Sequence, residues 1–188
     1  MPLKTLVKVG RITNLSDARY CAGMGVDFLG FAAVASQPEA ITAKSYQEIR
    51  GWITGPQIVA EVYGINNEEE LAVILDEFRP DYLELGSEEY NKIGSVIGLP
   101  FMLRLQEGEE LPAMSIKPAY LLIDEDSTMT RFIPEHEVLL TIKDVEELNR
   151  ALNHTGVSGI CLHGQAELRP GLKHYDELAD ILEALEAE

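Results

Sequence analysis

Residues 6–34 read LVKVGRITNLSDARYCAGMGVDFLGFAAV, and this stretch decides the fold class. The apolar runs 6–12 and 28–34 predict two strands, and residues 15–24 between them have the apolar spacing of an amphipathic helix. A strand, a helix and a second strand in this order are typical of a parallel sheet with right-handed crossover connections. The pattern then continues to the end of the chain.

Counting the apolar runs separates the competing architectures. Eight strands are predicted, at residues 6–12, 28–34, 58–63, 82–85, 101–105, 120–124, 138–142 and 159–162. Helices are predicted at residues 15–24, 44–53, 68–78, 88–97, 145–153 and 176–185, with N-caps at Ser16, Thr42, Asn67, Ser87 and Asp144. Segments 107–116 and 127–137 contain Pro112 and Pro134, so short loops rather than full helices are expected after strands five and six.

Eight strands with parallel crossovers favour a closed (β/α)8 TIM barrel, an α/β fold. The chain has 188 residues, whereas such barrels usually have about 250. We therefore predict a trimmed barrel that forms a single domain over residues 1–188. An open doubly wound sheet is the alternative, but its Gly-x-Gly-x-x-Gly turn is absent from the sequence.

Composition excludes several classes of function. The formal net charge of −17 repels nucleic acid and anionic membranes, so neither is expected as a partner. The start of the chain lacks a long apolar run with a cleavage site and no segment has bilayer-spanning length, which predicts a cytoplasmic protein. Cys21 and Cys161 lack the spacing of a zinc site, so we expect buried thiols, no metal and no cofactor.

The opening stretch also resembles one enzyme family. Lys8-Val9-Gly10-Arg11-Ile12-Thr13, then Asp17-Ala18 and Asp27-Phe28-Leu29-Gly30-Phe31, are similar to the start of the phosphoribosylanthranilate isomerases of tryptophan biosynthesis. Those enzymes read Lys-aliphatic-Cys-Gly-Ile-Thr at the first strand. The resemblance implies a TIM barrel and an Amadori rearrangement, in which an acid opens the sugar ring and a base removes the neighbouring proton.

The resemblance assigns the acid but not the base. The family's acid is an Asp that ends the sixth strand, and Tyr120-Leu121-Leu122-Ile123-Asp124 matches that run, which makes Asp124 the candidate general acid. The family's base is the Cys of the first strand, and Gly10 stands in its place. Arg11 cannot replace it, because a guanidinium stays protonated.

The positions that bind substrate in the family also differ. Glu39 stands where the family has an Arg that holds the substrate's carboxylate. The family's Gly-Gly and Ser-Ser-Gly phosphate turns are replaced by Thr141-Ile142-Lys143 and Leu162-His163-Gly164-Gln165. Thr141, Lys143, His163, Gly164 and the downstream Arg169 remain as candidates for a weak phosphate site.

Two acidic residues lie on predicted strands. Strand alternation allows Glu61, at a position where the family has Gly, and Glu84 to point into the barrel, where they would need partners. Lys8 and Arg104 are the cations on strands. These four side chains would form either an internal network or a new polar site, and the sequence leaves both open.

Three hypotheses about function follow. The first is a phosphoribosylanthranilate isomerase-like protein without efficient isomerase activity. The second is an active isomerase of that class, acting on a small phosphorylated metabolite, with Asp124 as acid and Glu61 or Glu84 as a substituted base. The third is a non-catalytic barrel that binds a ligand or a protein, with a basic partner expected if the acidic surface recruits it. Oligomeric state is not predicted.

Overall fold

The computed structural model describes residues 3–124, 131–164 and 175–186, with no side-chain description for 175–177. Its strands form a closed parallel barrel in chain order, with β1 pairing to β8. They are β1 Leu6–Gly10, β2 Phe28–Ala32, β3 Gln57–Glu61, β4 Tyr82–Gly86, β5 Phe101–Leu105, β6 Tyr120–Asp124, β7 Val138–Thr141 and β8 Gly159–His163. The predicted (β/α)8 barrel is confirmed.

Helices cover most of the outside of the barrel. They are α1 Leu15–Gly23, α2 Ala43–Arg50, α3 Glu68–Phe78, α4 Ser87–Ile93, α5 Val145–Asn153 and α6 Tyr175–Ala184, and a 3-10 turn at Gly94–Val96 extends α4. Residues 106–119 contain no helix, and the described part of the next connection, 131–137, consists of turns. The expected absence of a full helix is confirmed after β5, and after β6 it holds for the described residues 131–137. None of the helices in the described ranges is long and apolar enough to cross a membrane.

Three of the predicted N-caps are confirmed. The side chains of Thr42, Asn67 and Asp144 accept hydrogen bonds from the backbone N–H three residues ahead, at the starts of α2, α3 and α5. Each contact satisfies one of the N–H groups that the first helical turn leaves unpaired.

Two predicted caps were wrong. Ser16 lies inside α1, and Asn14 is the cap, because its backbone is extended and its side-chain oxygen reaches the Asp17 N–H at 2.9 Å. Ser87 is the first residue of α4, and Gly86 precedes it. The Gly86 N–H donates to the Glu89 carboxylate at 3.0 Å, so the partner that stabilises this helix start comes from within the helix.

The interior of the barrel is divided into an apolar and a polar layer. The lower layer consists of side chains from six strands: Phe28, Val59, Met102, Leu122, Leu139 and Cys161. Because side chains alternate along a strand, the residues two positions further on point to the same side. Those residues are Gly30, Glu61, Arg104, Asp124, Thr141 and His163, and they form the upper layer at the carboxyl ends of the strands.

The two cysteines lie in different layers. Cys21 is buried between α1 and the strands, and Cys161 is buried inside the barrel. Both are buried thiols, as expected. Within the described ranges, no group of three or more His, Cys, Asp or Glu side chains has the arrangement of a metal site.

Candidate active site at the mouth of the barrel

A buried lysine binds two carboxylates at the centre of the polar layer. Lys8 Nζ lies 2.8 Å from Glu61 Oε1 and also contacts Glu84 Oε2. Lys8 is 0% exposed, Glu61 2% and Glu84 1%. Groups buried to this degree lose their hydration, so the ammonium and the carboxylates depend on one another.

Arg104 completes this cluster from β5. Its guanidinium lies 3.3 Å from Glu84 Oε1, which also accepts a 2.6 Å hydrogen bond from the Tyr63 hydroxyl. Arg104 also donates to Tyr63 Oη at 3.1 Å, Thr141 Oγ1 at 2.9 Å and Cys161 Sγ at 3.4 Å. We call Lys8, Glu61, Glu84 and Arg104 the ion cluster. The structure brings the four side chains together in an internal network.

The two carboxylates of the ion cluster have opposite pKa shifts. Burial disfavours ionisation of Glu84, but Lys8 and Arg104 outweigh it and lower the pKa of Glu84 to about 2. Burial raises the pKa of Glu61 above its ordinary value, because its one close cation, Lys8, is shared with Glu84. Burial alone would lower the pKa of Lys8, but Glu61 and Glu84 raise it above its ordinary value. Lys8 therefore stays protonated and cannot act as a base.

Glycine at positions 10 and 30 leaves room for the Glu61 carboxylate. A Cβ added at Gly10 would overlap Glu61 Oε1 and lie 2.7 Å from Lys8 Nζ. A Cβ at Gly30 would overlap the same oxygen and lie 2.9 Å from Lys8 Nζ. The absence of a side chain on β1 and the presence of a carboxylate on β3 are therefore linked, because both groups would occupy one volume.

Asp124 lies at the carboxyl end of β6, at the mouth. Its side chain is 66% exposed, and Oδ1 lies 3.9 Å from Arg104 Nη1. Arg104 thus stands between Asp124 and the buried carboxylate of Glu84. The exposed carboxylate is placed where solvent and a ligand can both reach it.

Three of the candidate phosphate-binding residues line one cavity. Lys143, His163 and Gly164 border a space of about 180 Å³ together with aliphatic side chains from the ends of β7 and β8 and from α6. Thr141 faces the barrel interior, where it binds Arg104. Arg169 lies outside the described residues.

The backbone amides beside this cavity have partners within the chain. The Gly164 N–H donates to the Gly10 carbonyl at 2.6 Å, and the Lys143 N–H donates to the Glu147 carboxylate at 2.7 Å. Gly164 is required for this close approach, because a Cβ there would lie 2.9 Å from the Arg11 carbonyl oxygen. Anion sites at loops and helix starts use free N–H groups, and these two are not free.

His163 is neutral at physiological pH. Burial, followed by the charges of Arg104, Lys8 and Arg11, lowers the pKa of its imidazole to about 3. Its Nδ1 is buried and has no hydrogen-bond partner among the described residues. The side chain therefore contributes no positive charge to the cavity.

Arg11 has an unusual backbone conformation at the end of β1. Its φ is +56°, in the left-handed region, which costs a residue with a side chain roughly 1–2 kcal/mol. In this conformation its N–H points at Glu61 Oε1, 3.3 Å away. The side chain is 48% exposed, and its guanidinium lies 4.0 Å from the Glu39 carboxylate.

Reasoning from the sequence missed two parts of the site. Tyr63 follows β3 and was not considered, although its hydroxyl connects Glu84 and Arg104. The available signal was a polar aromatic residue two positions after Glu61, the spacing that puts two side chains on one face of a strand. The role of Gly30 depends on a contact across strands, and no local pattern encodes that contact.

The pKa of Glu84 leads to a prediction about acid stability. A carboxylate with a lowered folded-state pKa stabilises the fold above its unfolded value of 4.5, and that contribution is lost as the pH falls towards about 2. In this pH window the parent's free energy of unfolding should rise with pH by up to about 1.4 kcal/mol per pH unit on account of Glu84, because unfolding lets this one carboxylate take up a proton. Glu84→Gln should remove that contribution to the slope. Urea unfolding between pH 5 and 2 measures the slope. An unchanged slope would contradict the assigned pKa.

Comparison with known proteins relates the chain to one enzyme family, although no protein-family model matches it. It is 27% identical over 107 residues to the N-(5'-phosphoribosyl)anthranilate isomerase of Aquifex aeolicus, a match that covers 56% of this chain and 52% of that enzyme. It is 21% identical to the enzyme of Xylella fastidiosa strain M12, with 97% of this chain and 92% of that enzyme covered. The first two curated relatives are matched over only about half of their length, 52% and 55%.

Solved structures show the same fold. The phosphoribosylanthranilate isomerase of Thermus thermophilus superposes with a TM-score of 0.75 at 20% identity, covering 96% of this chain and 98% of that one. A phosphoribosylanthranilate isomerase bound to reduced 1-(o-carboxyphenylamino)-1-deoxyribulose 5-phosphate gives 0.72 at 15% identity, covering 95% and 97%. At these identities the superpositions establish the barrel fold. They do not establish the activity, which must be argued from the side chains of this chain.

Proposed function

We infer that this chain, a divergent member of the phosphoribosylanthranilate isomerase family, does not catalyse the family's isomerisation and serves as a non-catalytic binding barrel. One observation carries the proposal: the Glu61 carboxylate, held by Lys8, fills the space that a side chain at position 10 would need. The family's base would project from that position. The base has thus been replaced by an ion pair that belongs to the core.

The surroundings of the mouth support the same proposal. Convergent free amides hold a sugar phosphate best, whereas the amides of Lys143 and Gly164 are occupied and His163 is neutral, which leaves the Lys143 ammonium as the cation beside the cavity. The Glu39 carboxylate would repel a substrate carboxylate. A small phosphorylated metabolite is therefore not the ligand that we expect.

A turnover assay tests this proposal. Purified protein supplied with phosphoribosylanthranilate should form product no faster than buffer, because loss of a general base alone costs about 10²- to 10⁴-fold in rate and the substrate contacts are lost as well. Asp124→Asn should change nothing in this assay, since no proton transfer is under way. A family member that retains the Cys at this position is the positive control.

An active enzyme that uses Glu61 as its base is the second candidate. The observation in its favour is the raised pKa of Glu61. A carboxylate accepts a proton more readily when its pKa lies closer to the pH at which the enzyme works. It requires turnover that both Glu61→Gln and Asp124→Asn abolish. Turnover with that dependence would contradict the first proposal.

A further inference from the structure

A second cavity lies at the end of the barrel opposite the mouth, and we call it the lower cavity. Its volume is about 440 Å³, within the range of roughly 300–1,000 Å³ that small-molecule sites have. Four of its lining residues are the first residues of their strands: Leu6 of β1, Phe28 of β2, Gln57 of β3 and Tyr120 of β6. Chemistry in TIM barrels takes place at the other end, so the family's reaction does not account for this cavity.

Aromatic rings form one side of the lower cavity. Phe28 and Tyr120 line it, and their ring centroids are 5.5 Å apart. Tyr82, the first residue of β4, packs against both rings, at 5.4 Å from Phe28 and 6.4 Å from Tyr120. The face of an aromatic ring carries partial negative charge, and groups of such rings bind cations whose charge is spread over alkyl groups.

The Asp27 carboxylate borders the same cavity without a cationic partner. Its Oδ2 accepts a 2.8 Å hydrogen bond from the Val7 N–H, and no described Lys, Arg or His pairs with it or lines the cavity. Burial raises the pKa of Asp27 above its ordinary value, and backbone hydrogen bonds are what oppose this shift. Burial also raises the pKa of Tyr120, and the charges of Glu137 and Asp27 add to the rise. The lower cavity is therefore electronegative.

We propose that the lower cavity binds a small organic cation with a quaternary ammonium group, held by the Asp27 carboxylate and the rings of Phe28 and Tyr120. A quaternary ammonium donates no hydrogen bonds, so it suits a wall of rings and aliphatic groups. A primary ammonium would leave N–H groups unpaired there. The chain's formal net charge of −17 favours the approach of a cation. The proposal goes beyond the proposed function and concerns the opposite end of the barrel.

Choline and dimethylbutanol, the neutral analogue in which carbon replaces the nitrogen of choline, test the proposal. The two molecules have the same shape, so calorimetric titrations at pH 8 and low salt compare the charge alone. We expect choline to bind the parent protein in the millimolar range and dimethylbutanol to bind at least about tenfold more weakly. Methylammonium should also bind more weakly than choline, because its N–H groups meet few acceptors.

Asp27→Asn removes the charge and keeps an oxygen that can accept the Val7 N–H. It should weaken choline binding at least about tenfold and leave dimethylbutanol binding unchanged. Asp81→Asn is the matched control, since Asp81 Oδ2 accepts the Ile58 N–H at 2.7 Å in the same way and Asp81 does not line the lower cavity. The two variants should have similar melting temperatures, and only Asp27→Asn should lose choline.

Two substitutions of Tyr120 test the contribution of the ring. Tyr120→Phe keeps the ring and should keep the parental affinity for choline. Tyr120→Leu keeps an apolar side chain without a ring, so it should weaken choline binding by about three- to tenfold.

Any one of four results would overturn the proposal. They are the absence of choline binding by the parent protein, equal binding of choline and dimethylbutanol, and parental choline affinity in either Asp27→Asn or Tyr120→Leu. Turnover of phosphoribosylanthranilate would remove the proposed function without affecting this inference, because the mouth and the lower cavity lie at opposite ends of the barrel.

Discussion

Lys8→Met should lower the free energy of unfolding by about 3–5 kcal/mol, the cost of leaving buried charges without a partner. The substitution keeps much of the side chain's volume and removes the ammonium that Glu61 and Glu84 share. Arg104 would remain as the cation of the cluster, and it lies against Glu84. Urea unfolding at pH 7 measures the loss, which is a large share of the roughly 5–15 kcal/mol that stabilises a typical domain.

The pH dependence of this loss separates electrostatics from packing. Without Lys8, Glu61 has no close cation, and protonation is the way in which a buried carboxyl avoids the cost of its charge. The difference in stability between parent and variant should therefore shrink as the pH falls from 7 towards 5. A difference that is independent of pH would assign the loss to packing and contradict the electrostatic explanation.

An exposed ion pair is the control for Lys8. Lys92 lies 2.9 Å from Glu88 on the surface of α4, so its geometry is as good as that of Lys8. Lys92→Met should nevertheless change stability little, because water solvates both charges when the pair is broken. If the two variants lose similar stability, burial does not set the energy of the ion cluster.

The scaffold was predictable because its signals are local. The apolar run, the amphipathic segment and the next apolar run can each be identified within about ten residues, and all eight strands were found within two residues of their observed ends. Alternation along β3 and β4 allowed Glu61 and Glu84 to point inside, and both are buried there. The same local signals failed at Ser16, where Asn14, two residues earlier, was the better cap.

The site was only partly predictable, because its contacts join distant strands. The sequence indicates the loss of a side chain at Gly10, but the stagger of β1 against β3 decides that Glu61 fills that space. Lys8 also pairs with two carboxylates rather than one, and this depends on which positions of β1, β3 and β4 face one another inside the barrel. The partners of the amides of Lys143 and Gly164 appear only once the loops are folded.

Gly10→Cys should destabilise the protein by about 3–5 kcal/mol, because the new Cβ displaces Glu61 from Lys8 and overpacks the interior. Gly23→Cys is the matched control: a Cβ at Gly23, in α1, meets no atom within 4 Å, so that variant should stay near the parent in stability. Urea unfolding measures both. Parental stability in Gly10→Cys would contradict the proposed conflict between residues 10 and 61.

The double variant Gly10→Cys with Glu61→Gly tests whether the two positions share one volume. Glu61→Gly alone leaves a cavity beside Lys8, whereas in the double variant the thiol occupies that space and Lys8 keeps Glu84. The double variant should therefore be more stable than the sum of the single changes by about 1–3 kcal/mol, a coupling expected only for residues in contact. The ammonium of Lys8 should also lower the pKa of the new thiol below its ordinary value. The pH dependence of alkylation measures this pKa, with the buried Cys21 and Cys161 as the reference thiols.

Simple additivity of the two single changes would mean that Glu61 and a side chain at position 10 do not compete. The loss of the base would then be an isolated substitution, and the main support for a non-catalytic barrel would be removed.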